Sequence, residues 1–479
     1  MGKIRVRFAP SPTGPLHIGG ARSALFNYLL AAKEQGDFIL RVEDTDLERS
    51  SRQSEQNIIE SLRWLGIEWN EGIDKGGAYG PYRQTERIPL YQAAAAQLIT
   101  NGQAYNCYCS EQDLEEIRQA QQAAGQTPHY SGACRSLSTE EHLAKAALGQ
   151  KAVIRFVVPK NQELIIEDMV RGQVKVNSDE IGGDFVIIKS DGLPTYNFAA
   201  VVDDYLMKIT HVVRGEEHLP NTPRQLLMYN ALGYPPPIFA HVSLILGSDG
   251  SKMSKRHGSV SVVNYQEQGF LPEALVNFLA LLGWSPEGEQ EILSMEQLKE
   301  QFSLNRVSKS PAVFDIAKLR WLNAQYLRTL TQEEIAAGIA PYLSPDFDEK
   351  RTLLLAETLA HHLETFAEVQ DYLPLIEGAL FFTQNEEAKN VLAQEHAPGL
   401  IKAFAALIEN MREEEFIPDT IKGAIKQAGK ESCAKGAALY MVLRVAITGC
   451  MHGPDLDKLA ALIGREKLLT RLKNLEGIL

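Results

Sequence analysis

The opening of the chain limits the fold more than any other stretch. Residues 4–8 alternate branched or aromatic side chains with arginine, as strands do, and a loop rich in proline and glycine follows. Apolar residues then recur at helical spacing from Gly19 until Gly36 ends the pattern, and a second strand is predicted over 38–42. Strand, helix and strand in this order form a parallel βαβ unit, so we expect the α/β class with a Rossmann-type, doubly wound parallel sheet.

The remaining pattern predicts further domains, because single cores stop growing near about 250–300 residues and this chain has 479. A polar, helical stretch over 111–150 and β-rich pieces over 153–176 indicate an α+β insertion. Mixed α/β character then returns in three pieces that we expect to complete the first sheet, at 185–188, 196–202 and 209–213. From 317 to 479 nearly every window has helical periodicity, which predicts all-α C-terminal domains.

Composition excludes several classes of protein. The hydrophobic fraction of 44% and the charged fraction of 23% are those of folded globular chains, which argues against wholesale disorder. No apolar run approaches the about 18 residues of a membrane span, and no apolar leader segment is visible, so we expect a cytoplasmic protein with no membrane partner. Five cysteines, an odd number, favour free thiols over disulfides. The formal net charge of −13 describes the average surface and still permits a basic groove for nucleic acid.

The first candidate site is the loop after the first strand, which reads Pro-Ser-Pro-Thr-Gly-Pro-Leu-His-Ile-Gly-Gly over residues 10–20. Ligands of parallel sheets bind beyond the carboxyl ends of the strands, and the first amides of the following helix point toward anions. His17 can donate a hydrogen bond to a phosphate, while Gly19 and Gly20 let a nucleotide lie close to the backbone. Taken alone, such a loop is more often a plain turn.

The second candidate site is a basic segment in the middle of the chain. Residues 251–256 read Ser-Lys-Met-Ser-Lys-Arg and follow a Gly-Ser-Asp-Gly turn. Three cations within five residues suit a reaction in which negative charge builds up on an α-phosphate and a departing pyrophosphate. Taken alone, this segment is more often a solvated basic loop.

The two motifs together carry far more information than either one. A Pro-x-x-His-Ile-Gly loop after the first strand and a distant Lys-Met-Ser-Lys segment resemble the signature of the class I aminoacyl-tRNA synthetases. The surrounding sequence is similar to the bacterial glutamyl branch of that family at 7–14, 41–46, 194–197, 213–218 and 319–323. The resemblance is specific to about residue 330 and weaker beyond it. Other branches have a second histidine at the position of Gly20, whereas glycine is usual there in the glutamyl branch.

The reaction that this resemblance implies is the joining of L-glutamate to tRNA(Glu) with ATP, which binds together with Mg²⁺. Glutamate carries two carboxylates and one ammonium, so a complementary pocket needs two arginine forks and one acid. By resemblance, Arg7 holds the side-chain carboxylate, Arg214 the other carboxylate, and Glu43 meets the ammonium. The implied glutamate site as a whole is Arg7, Ala9, Ser11, Glu43, Tyr196 and Arg214.

The same resemblance implies an ATP site and a catalytic set. Glu217 and Ile245 would frame the adenosine, and Lys252 and Lys255 would neutralise the phosphates. These two lysines and His17 are the implied catalytic residues. The implied ATP-binding set is His17, Gly19, Gly20, Glu217, Ile245, Lys252, Met253, Ser254, Lys255 and Arg256.

The resemblance also implies a monomer and a division into domains. A Rossmann catalytic domain is expected at 1–82 and 198–243, interrupted at 83–197 by an insertion for the tRNA acceptor end. A domain that contacts the tRNA stem and carries the Lys-Met-Ser-Lys loop is expected at 244–330. Two helical anticodon-binding domains are expected to follow, at 331–379 and 380–479.

Three cysteines of the insertion, Cys107, Cys109 and Cys134, resemble the zinc module of the family. Structural zinc normally has four protein ligands, and the position where the family has its fourth ligand, a histidine, is Ser136 in this chain. The substitutes that the sequence offers are His129 and His142. We expect reduced thiols and no bound zinc.

The anticodon-binding part lacks arginine between Arg351 and Arg412. Arginine is the usual reader of base edges, so we expect relaxed reading of the third anticodon base and charging of tRNA(Gln) as well.

Three other functions remain open. A non-catalytic tRNA-binding paralogue would be expected to lose His17 or the two lysines, a tRNA-modifying relative would lack the helical C-terminal part, and a glutaminyl enzyme would differ around 10–20 and 41–46.

Overall fold

The computed structural model describes residues 2–126, 128–254, 256, 260–378 and 386–476. The chain forms two compact units, one of Met1–Tyr265 and Pro272–Ile316 and another of Gln266–Leu271 and Ala317–Leu479. Strands occur in the first unit, and the second unit is built from helices. Among the described helices, none combines the length and the apolar character that crossing a bilayer requires.

The strands of the first unit are short. In chain order they are β1 Arg5–Phe8, β2 Asp37–Leu40, β3 Glu71–Gly72, β4 Ala104–Cys107, β5 Val153–Phe156, β6 Glu163–Asp168, β7 Gly172–Asn177, β8 Phe185–Ile188, β9 His211–Gly215, β10 Ile238–Val242, β11 Ile245–Leu246 and β12 Ala312–Val313. The helices up to residue 301 are α1 Ile18–Lys33, α2 Arg52–Trp64, α3 Ile88–Thr100, α4 Glu111–Ala123, α5 Thr139–Ala147, α6 Tyr196–Leu206, α7 Thr222–Leu232, α8 Val262–Glu267, α9 Pro272–Leu281 and α10 Met295–Gln301.

A parallel βαβ unit opens the chain, as predicted. β1 pairs parallel with β2 in a register that runs from Arg5 opposite Asp37 to Phe8 opposite Leu40, and β2 pairs parallel with β3. β9 and β10 form a second parallel pair. The amide of Thr210 donates to the carbonyl of Arg5 at 2.9 Å, which brings β9 beside β1. The predicted Rossmann-type parallel arrangement is confirmed.

Strand β8 and the hairpin of β6 and β7, all within residues 83–197, have unexpected partners. β8 was predicted to complete the first sheet, but it pairs antiparallel with β5, which in turn pairs antiparallel with β4. Phe185 stacks on Phe156 with ring centroids 5.2 Å apart, so apolar packing favours the sheet of the insertion. β6 pairs parallel with β10 at Asp168 opposite Phe239, and antiparallel with β7, so this hairpin extends the second parallel pair. Strand periodicity identifies strands and does not identify their partners.

The core of the first unit places two acids on an otherwise apolar helix. Phe198, Val201 and Val202 of α6 belong to an apolar cluster shared with α3 and α7. Asp203 and Asp204 of the same helix are equally buried, with 0% and 4% of their surface exposed. Buried carboxylates need cationic or hydrogen-bonding partners, so α6 has to present these two acids to such groups.

The second unit is helical throughout its described residues, as predicted. Its helices are α11 Ile316–Leu327, α12 Gln332–Ile339, α13 Glu349–Leu359, α14 Val369–Glu377, α15 Glu386–Leu392, α16 Ala397–Glu409, α17 Pro418–Glu431, α18 Ala437–Thr448, α19 Leu456–Ile463 and α20 Arg465–Glu476. Two apolar clusters hold them together, and α19 belongs to both. Leu459 and Leu462 face the cluster of α12 to α14, while Leu456, Ala460 and Ile463 face the cluster of α15 to α18 and α20.

Gly269→Ala should destabilise the second unit. Gly269 has a φ of +75°, which side chains rarely adopt, and an added Cβ would lie 2.7 Å from the Cβ of Phe366. Gly423 of α17 is exposed and has open space at its Cβ position, which makes it the matched control. In denaturant unfolding, Gly269→Ala should lower the free energy of unfolding by about 1–3 kcal/mol and Gly423→Ala should raise it by about 0.5–1 kcal/mol. Equal values for the two variants would contradict this packing.

Candidate active site

A cavity of 1270 Å³ opens at the carboxyl ends of β1, β2 and β9. Its walls come from the loop after β1, the turn after β2, the segment before α6 and the loop after β9. Ligands of open α/β sheets bind in this position. The predicted site residues that line it are Arg7, Ala9, Ser11, His17, Gly19, Gly20, Glu43, Tyr196, Arg214 and Glu217.

His17 caps the helix that follows the loop. It is the N-cap of α1, and its Nδ1 accepts the amide N–H of Gly19 at 3.0 Å. The accepting nitrogen carries no proton, so the neutral ring has its proton on Nε2. Burial and then the charge of Lys252 lower the pKa of His17. The ring is therefore neutral at neutral pH and has one N–H to offer to an anion.

Two valines that follow the lysine segment, Val260 and Val262, are bonded to the histidine loop through the backbone. The amide of Ile18 donates to the carbonyl of Val260 at 2.8 Å, and the amide of Val262 donates to the carbonyl of Leu16 at 2.9 Å. Lys252 is exposed, and its charge is close enough to lower the pKa of the capping histidine. The two motifs that lie far apart in sequence are therefore neighbours in the first unit.

None of the described residues of the lysine segment, Lys252 included, belongs to the cavity lining. Met253 is buried and its amide donates to the carbonyl of Ile245 at 3.0 Å, so both residues support the turn. Ser254 is half-buried, and Arg256 is exposed and donates to a hydroxyl of its own segment. Lys255 lies outside the described residues. Of this segment, Lys252 is the residue whose placement beside the histidine loop can be read from the contacts.

Arg7 is buried and is held by an acid of α6. Its Nε and Nη2 donate to the carboxylate of Asp204 at distances of 3.2 to 3.4 Å. Among the described residues its Nη1 has no acceptor, although only 4% of Arg7 is exposed. Because Arg7 lines the cavity, this end of the guanidinium can bind a ligand carboxylate.

Arg41 joins the acids around this arginine into one network. It has no exposed surface, and it donates from Nη1 to Asp204 at 2.7 Å and from Nη2 to Glu43 at 3.2 Å. Asp203 accepts from Nε of Arg87 at 2.6 Å. Burial opposes ionisation of Asp204, yet its two arginine partners lower its pKa. Burial raises the pKa of Glu43 in spite of Arg41, so a ligand cation beside Glu43 would stabilise its charged form.

Arg214 carries a buried charge that is held by neutral groups. Nε donates to Nε2 of His241 at 3.1 Å, and Nη2 donates to Thr222 Oγ1 and Gln225 Oε1 at 2.9 and 2.8 Å. In the part of the chain that the structure describes, no carboxylate lies within ion-pair distance of this guanidinium. Burial lowers the pKa of Arg214, as expected for a cation without a counter-ion. Since Arg214 lines the cavity, it is suited to bind the carboxylate of a ligand.

Tyr196 and His218 form a neighbouring part of the wall. Their rings lie 5.6 Å apart, and the hydroxyl of Tyr196 lies 3.3 Å from Nδ1 of His218. Burial and then the charge of Arg214 lower the pKa of His218 to about 4. The imidazole is therefore neutral at neutral pH and adds no charge to the cavity.

The glycines of the site have different roles. An added Cβ at Gly215 would overlap the carboxylate of Glu217, so Gly215 leaves room for that acid. An added Cβ at Gly19 would meet only the ring of His17, at 3.4 Å. An added Cβ at Gly20 would lie 3.3 Å from Cδ1 of Leu16, so Gly20 is small because of packing in the loop.

The acids that hold the arginines were not predicted from the sequence. Asp203 and Asp204 were not singled out, and Arg41 and His218 were noted only as part of resembling segments. A signal was present, because two consecutive acids stand in the otherwise apolar helix α6. The sequence could not tell which cation each acid meets, since Arg7 and Asp204 are 197 positions apart.

The three predicted cysteines of the insertion form a cluster. Their sulfur atoms all lie within 4.8 Å of one another, and the thiols of Cys107, Cys109 and Cys134 are free. The thiol of Cys107 donates to the hydroxyl of Tyr130 at 3.3 Å. Among the described residues no fourth cysteine or histidine joins the cluster, so the donor set does not match ordinary structural zinc sites. We assign no role to zinc, and its absence stays a prediction.

The fold and the site together define an enzyme core of the class I synthetase type, with a histidine loop that caps α1, a lysine segment beside it and a cavity lined by two buried arginines. The family model for tRNA synthetases class I (E and Q), catalytic domain, matches residues 3–321. A model for an anticodon binding domain matches residues 328–475. The chain belongs to the class I tRNA synthetases of the E and Q group.

Known relatives agree over the full length of the chain. It is 54% identical over 482 residues to the glutamate–tRNA ligase of Heliobacterium modesticaldum, which covers 99% of this chain and 97% of that protein. It is 51% identical to the glutamate–tRNA ligase of Desulfitobacterium hafniense, with 99% of both chains covered. A crystal structure of a glutamate tRNA ligase from Elizabethkingia meningosepticum in complex with its amino acid has a TM-score of 0.88, 35% identity and 99% coverage of both chains.

His218 should titrate near pH 4 in the free protein and at higher pH with a dicarboxylate bound. The charges of Arg214 and Arg7 help to keep its pKa at about 4, and an anion between them would weaken that repulsion and raise the pKa. Histidine-labelled NMR, with His218→Gln for assignment, would follow this change on addition of L-glutamate. A His218 titration that saturating glutamate leaves unchanged would contradict the arrangement.

Proposed function

We propose that this chain activates L-glutamate with ATP and transfers it to the 3′-terminal adenosine of tRNA(Glu). The observation that carries the proposal is the pair of buried arginines in one cavity. Arg7 and Arg214 both line the cavity, both use Nε and Nη2 on protein acceptors, and neither has an acceptor for Nη1 among the described residues. A dicarboxylic amino acid matches two such groups. The full-length relatives that are named glutamate–tRNA ligase support the same substrate.

The proposed glutamate site divides the substrate among three charged groups. Arg7 binds the side-chain carboxylate, Arg214 binds the α-carboxylate, and Glu43 with Ser11 meets the ammonium. Glutamine would leave Arg7 without an anionic ligand, and a site built for a charged group discriminates strongly against a neutral analogue. Tyr196 closes the pocket on the side of His218.

The proposed activation step depends on alignment and on charge neutralisation. The α-carboxylate of glutamate attacks the α-phosphorus of ATP, the bond from that phosphorus to the bridging oxygen breaks, and pyrophosphate leaves. A carboxylate is already a nucleophile at neutral pH, so this step needs no general base. His17 can offer its Nε2 proton to a phosphate oxygen, and Lys252 supplies positive charge nearby. Mg²⁺ enters with ATP as part of the substrate and neutralises its phosphates.

The proposed transfer step uses the terminal adenosine of tRNA. Its 2′-hydroxyl attacks the carbonyl of the glutamyl-adenylate and AMP leaves, and we propose that a phosphate oxygen of the adenylate takes the proton. The insertion at 83–197 is proposed to hold the acceptor end, and the helical part after 330 to read the anticodon, which the matching anticodon-domain model over 328–475 supports. We further propose that the enzyme acts as a cytoplasmic monomer.

We also propose that tRNA(Gln) is a second substrate. The support is the absence of arginine from the sequence between Arg351 and Arg412, within the matched anticodon-binding region. Arg351 itself donates to the carbonyl of Leu462 and lies over the ring of Phe347, so part of its guanidinium is already engaged in contacts within the protein. The exposed His361 and His362 offer contacts without a bidentate fork.

Glutamate-dependent exchange of pyrophosphate into ATP, measured with and without tRNA(Glu), tests the proposed function. Exchange should depend on glutamate and should need tRNA, as expected in this branch. Lys252→Ala should lower the exchange rate by about 100-fold or more, because a charge that stabilises the transition state is lost, while glutamate binding stays unchanged. The control is Lys3→Ala, an exposed lysine just before β1 and outside the proposed sites, which should leave the rate unchanged. A complete lack of glutamate-dependent exchange would overturn the proposed function. An exchange rate that Lys252→Ala leaves unchanged would show that Lys252 takes no part in it.

Charging of purified tRNA(Glu) and tRNA(Gln), side by side, tests the second substrate. Both tRNAs should accept glutamate, because no bidentate base contact is expected to distinguish their anticodons. Their kcat/KM values should lie within about tenfold of each other, which corresponds to about 1.4 kcal/mol in transition-state free energy. Strict selectivity for tRNA(Glu) would refute the prediction and would leave glutamate activation untouched.

A further inference from the structure

Arg22 is a buried cation of α1 that lies outside the cavity lining. Only 3% of its surface is exposed. Nη1 donates to the carbonyl of Leu282 at 2.9 Å, and Nη2 donates to the carbonyl of Ser243. Among the described residues no carboxylate lies within ion-pair distance of this guanidinium. An aliphatic side chain would fill the same space without the cost of burying a charge, so what Arg22 adds to this position is the pair of hydrogen bonds.

The two carbonyls that Arg22 meets belong to different segments of the first unit. Ser243 follows β10 directly, and Leu282 follows α9 directly. A planar guanidinium with two separate NH₂ groups can bridge two such segments, whereas the ammonium of a lysine is a single point. Burial lowers the pKa of Arg22 to about 10, although the charges of Glu217 and Glu216 raise it. The fork therefore stays charged at neutral pH.

Ser243 stands just before the hairpin that carries Lys252. The next residue, Leu244, is fixed as well, because its amide donates to Oε1 of Glu216 at 2.8 Å. β11 then begins, and Leu246 pairs with Lys252 in an antiparallel bridge. We call residues 245–253 the lysine hairpin. The start of this hairpin is thus bonded to α1 through Arg22.

The helix that carries Arg22 also begins at the histidine of the site. His17 is the N-cap of α1, and Arg22 lies in the second turn of the same helix. The backbone of α1 therefore fixes the separation of these two residues. Lys252 in turn lies close enough to His17 to lower its pKa. One rigid element carries both the histidine and the group that holds the start of the lysine hairpin.

We infer that Arg22 is a positioning residue that holds the lysine hairpin, and with it Lys252, beside His17. The inference rests on the proposed function, in which these two side chains act on one triphosphate, and it adds a residue outside the cavity to the activation step. Without the fork, the start of the hairpin is no longer bonded to α1. The backbone bonds of Val260 and Val262 hold only the chain that follows the lysine segment.

Two substitutions of Arg22 separate its hydrogen bonds from its charge. Arg22→Met keeps a long unbranched side chain and removes both. Arg22→Lys keeps the charge without the fork. The control is Arg63→Met, because Arg63 is an exposed residue of α2 that is bonded to Asp74. Far-UV circular dichroism with thermal unfolding shows whether each variant is folded, and Arg22→Lys replaces Arg22→Met in every comparison if the methionine variant does not fold.

The pKa of His17 reports the position of Lys252 without any need for catalysis. The charge of Lys252 lowers this pKa and the charge of Glu217 raises it. In histidine-labelled NMR, with His17→Gln for assignment, Arg22→Met should raise the pKa of His17 because the repulsion by Lys252 weakens. The rise should not exceed the one that Lys252→Ala causes, and Arg63→Met should cause none.

The same titration in a Lys252→Ala background tests whether Arg22 acts through the lysine. There Arg22→Met should raise the pKa of His17 much less than it does in the wild-type background, since the charge that it displaces is already gone. An equal rise in both backgrounds would mean that Arg22 acts on His17 directly. That result, or a pKa of His17 that Arg22→Met leaves unchanged in the wild-type background, would overturn the inference.

Exchange of pyrophosphate into ATP, with tRNA(Glu) present, shows whether this placement serves activation. Arg22→Met should lower kcat by about 10- to 100-fold, because misplacing a reacting group by about 1 Å can cost this much, with the KM for glutamate within about threefold of the wild-type value. In the Lys252→Ala background the further loss should be less than about twofold, because residues that act as a unit are not additive. Equal losses in both backgrounds would indicate a merely structural role and would overturn the inference. A wild-type protein without glutamate-dependent exchange would refute the proposed function instead, and the titration of His17 would still decide the placement of Lys252.

Discussion

The ion pairs of Arg41 hold the walls of the cavity together. This fully buried side chain bonds to Asp204 on α6 and to Glu43 in the turn after β2, and Asp204 in turn holds Arg7 on β1. Three elements that are distant in sequence thus share one set of charges in a space closed to water. Loss of one partner from such a set leaves an unpaired buried charge and costs about 3–5 kcal/mol. The position of Arg7 in the cavity is therefore a property of the whole network.

The two arginines of the cavity are prepared for a ligand by different means. Arg7 is bonded to a carboxylate whose charge it shares with Arg41, while Arg214 is bonded to His241, Thr222 and Gln225, all neutral. Both arrangements fix Nε and Nη2 and leave Nη1 without an acceptor among the described residues. Preorganised donors of this kind need little rearrangement when the substrate binds. In the second arrangement the part of the chain that the structure describes also provides no direct counter-ion for Arg214, which favours an anionic ligand over a neutral one.

Local pattern was enough to predict much of this structure. The alternation of residues 4–8 and the helical spacing after Gly19 gave the opening βαβ unit, and the paired motifs placed His17 near Lys252. Partners separated by long stretches of chain could not be predicted. β8 was expected in the first sheet and lies in another one. The packing of Phe185 on Phe156, which accompanies its actual pairing, cannot be predicted from the sequence of β8 alone. His241 and Asp168 are 73 positions apart, and nothing in either segment indicates that they meet.

A crystal structure of the chain with L-glutamate would show whether Arg7 and Arg214 bind the two carboxylates of one amino acid. One carboxylate should lie on Nη1 of each arginine and the ammonium beside Glu43, with the contacts to Asp204 and His241 unchanged. If glutamate binds outside the cavity, or inside it without contact to one of the two arginines, the proposed recognition is wrong.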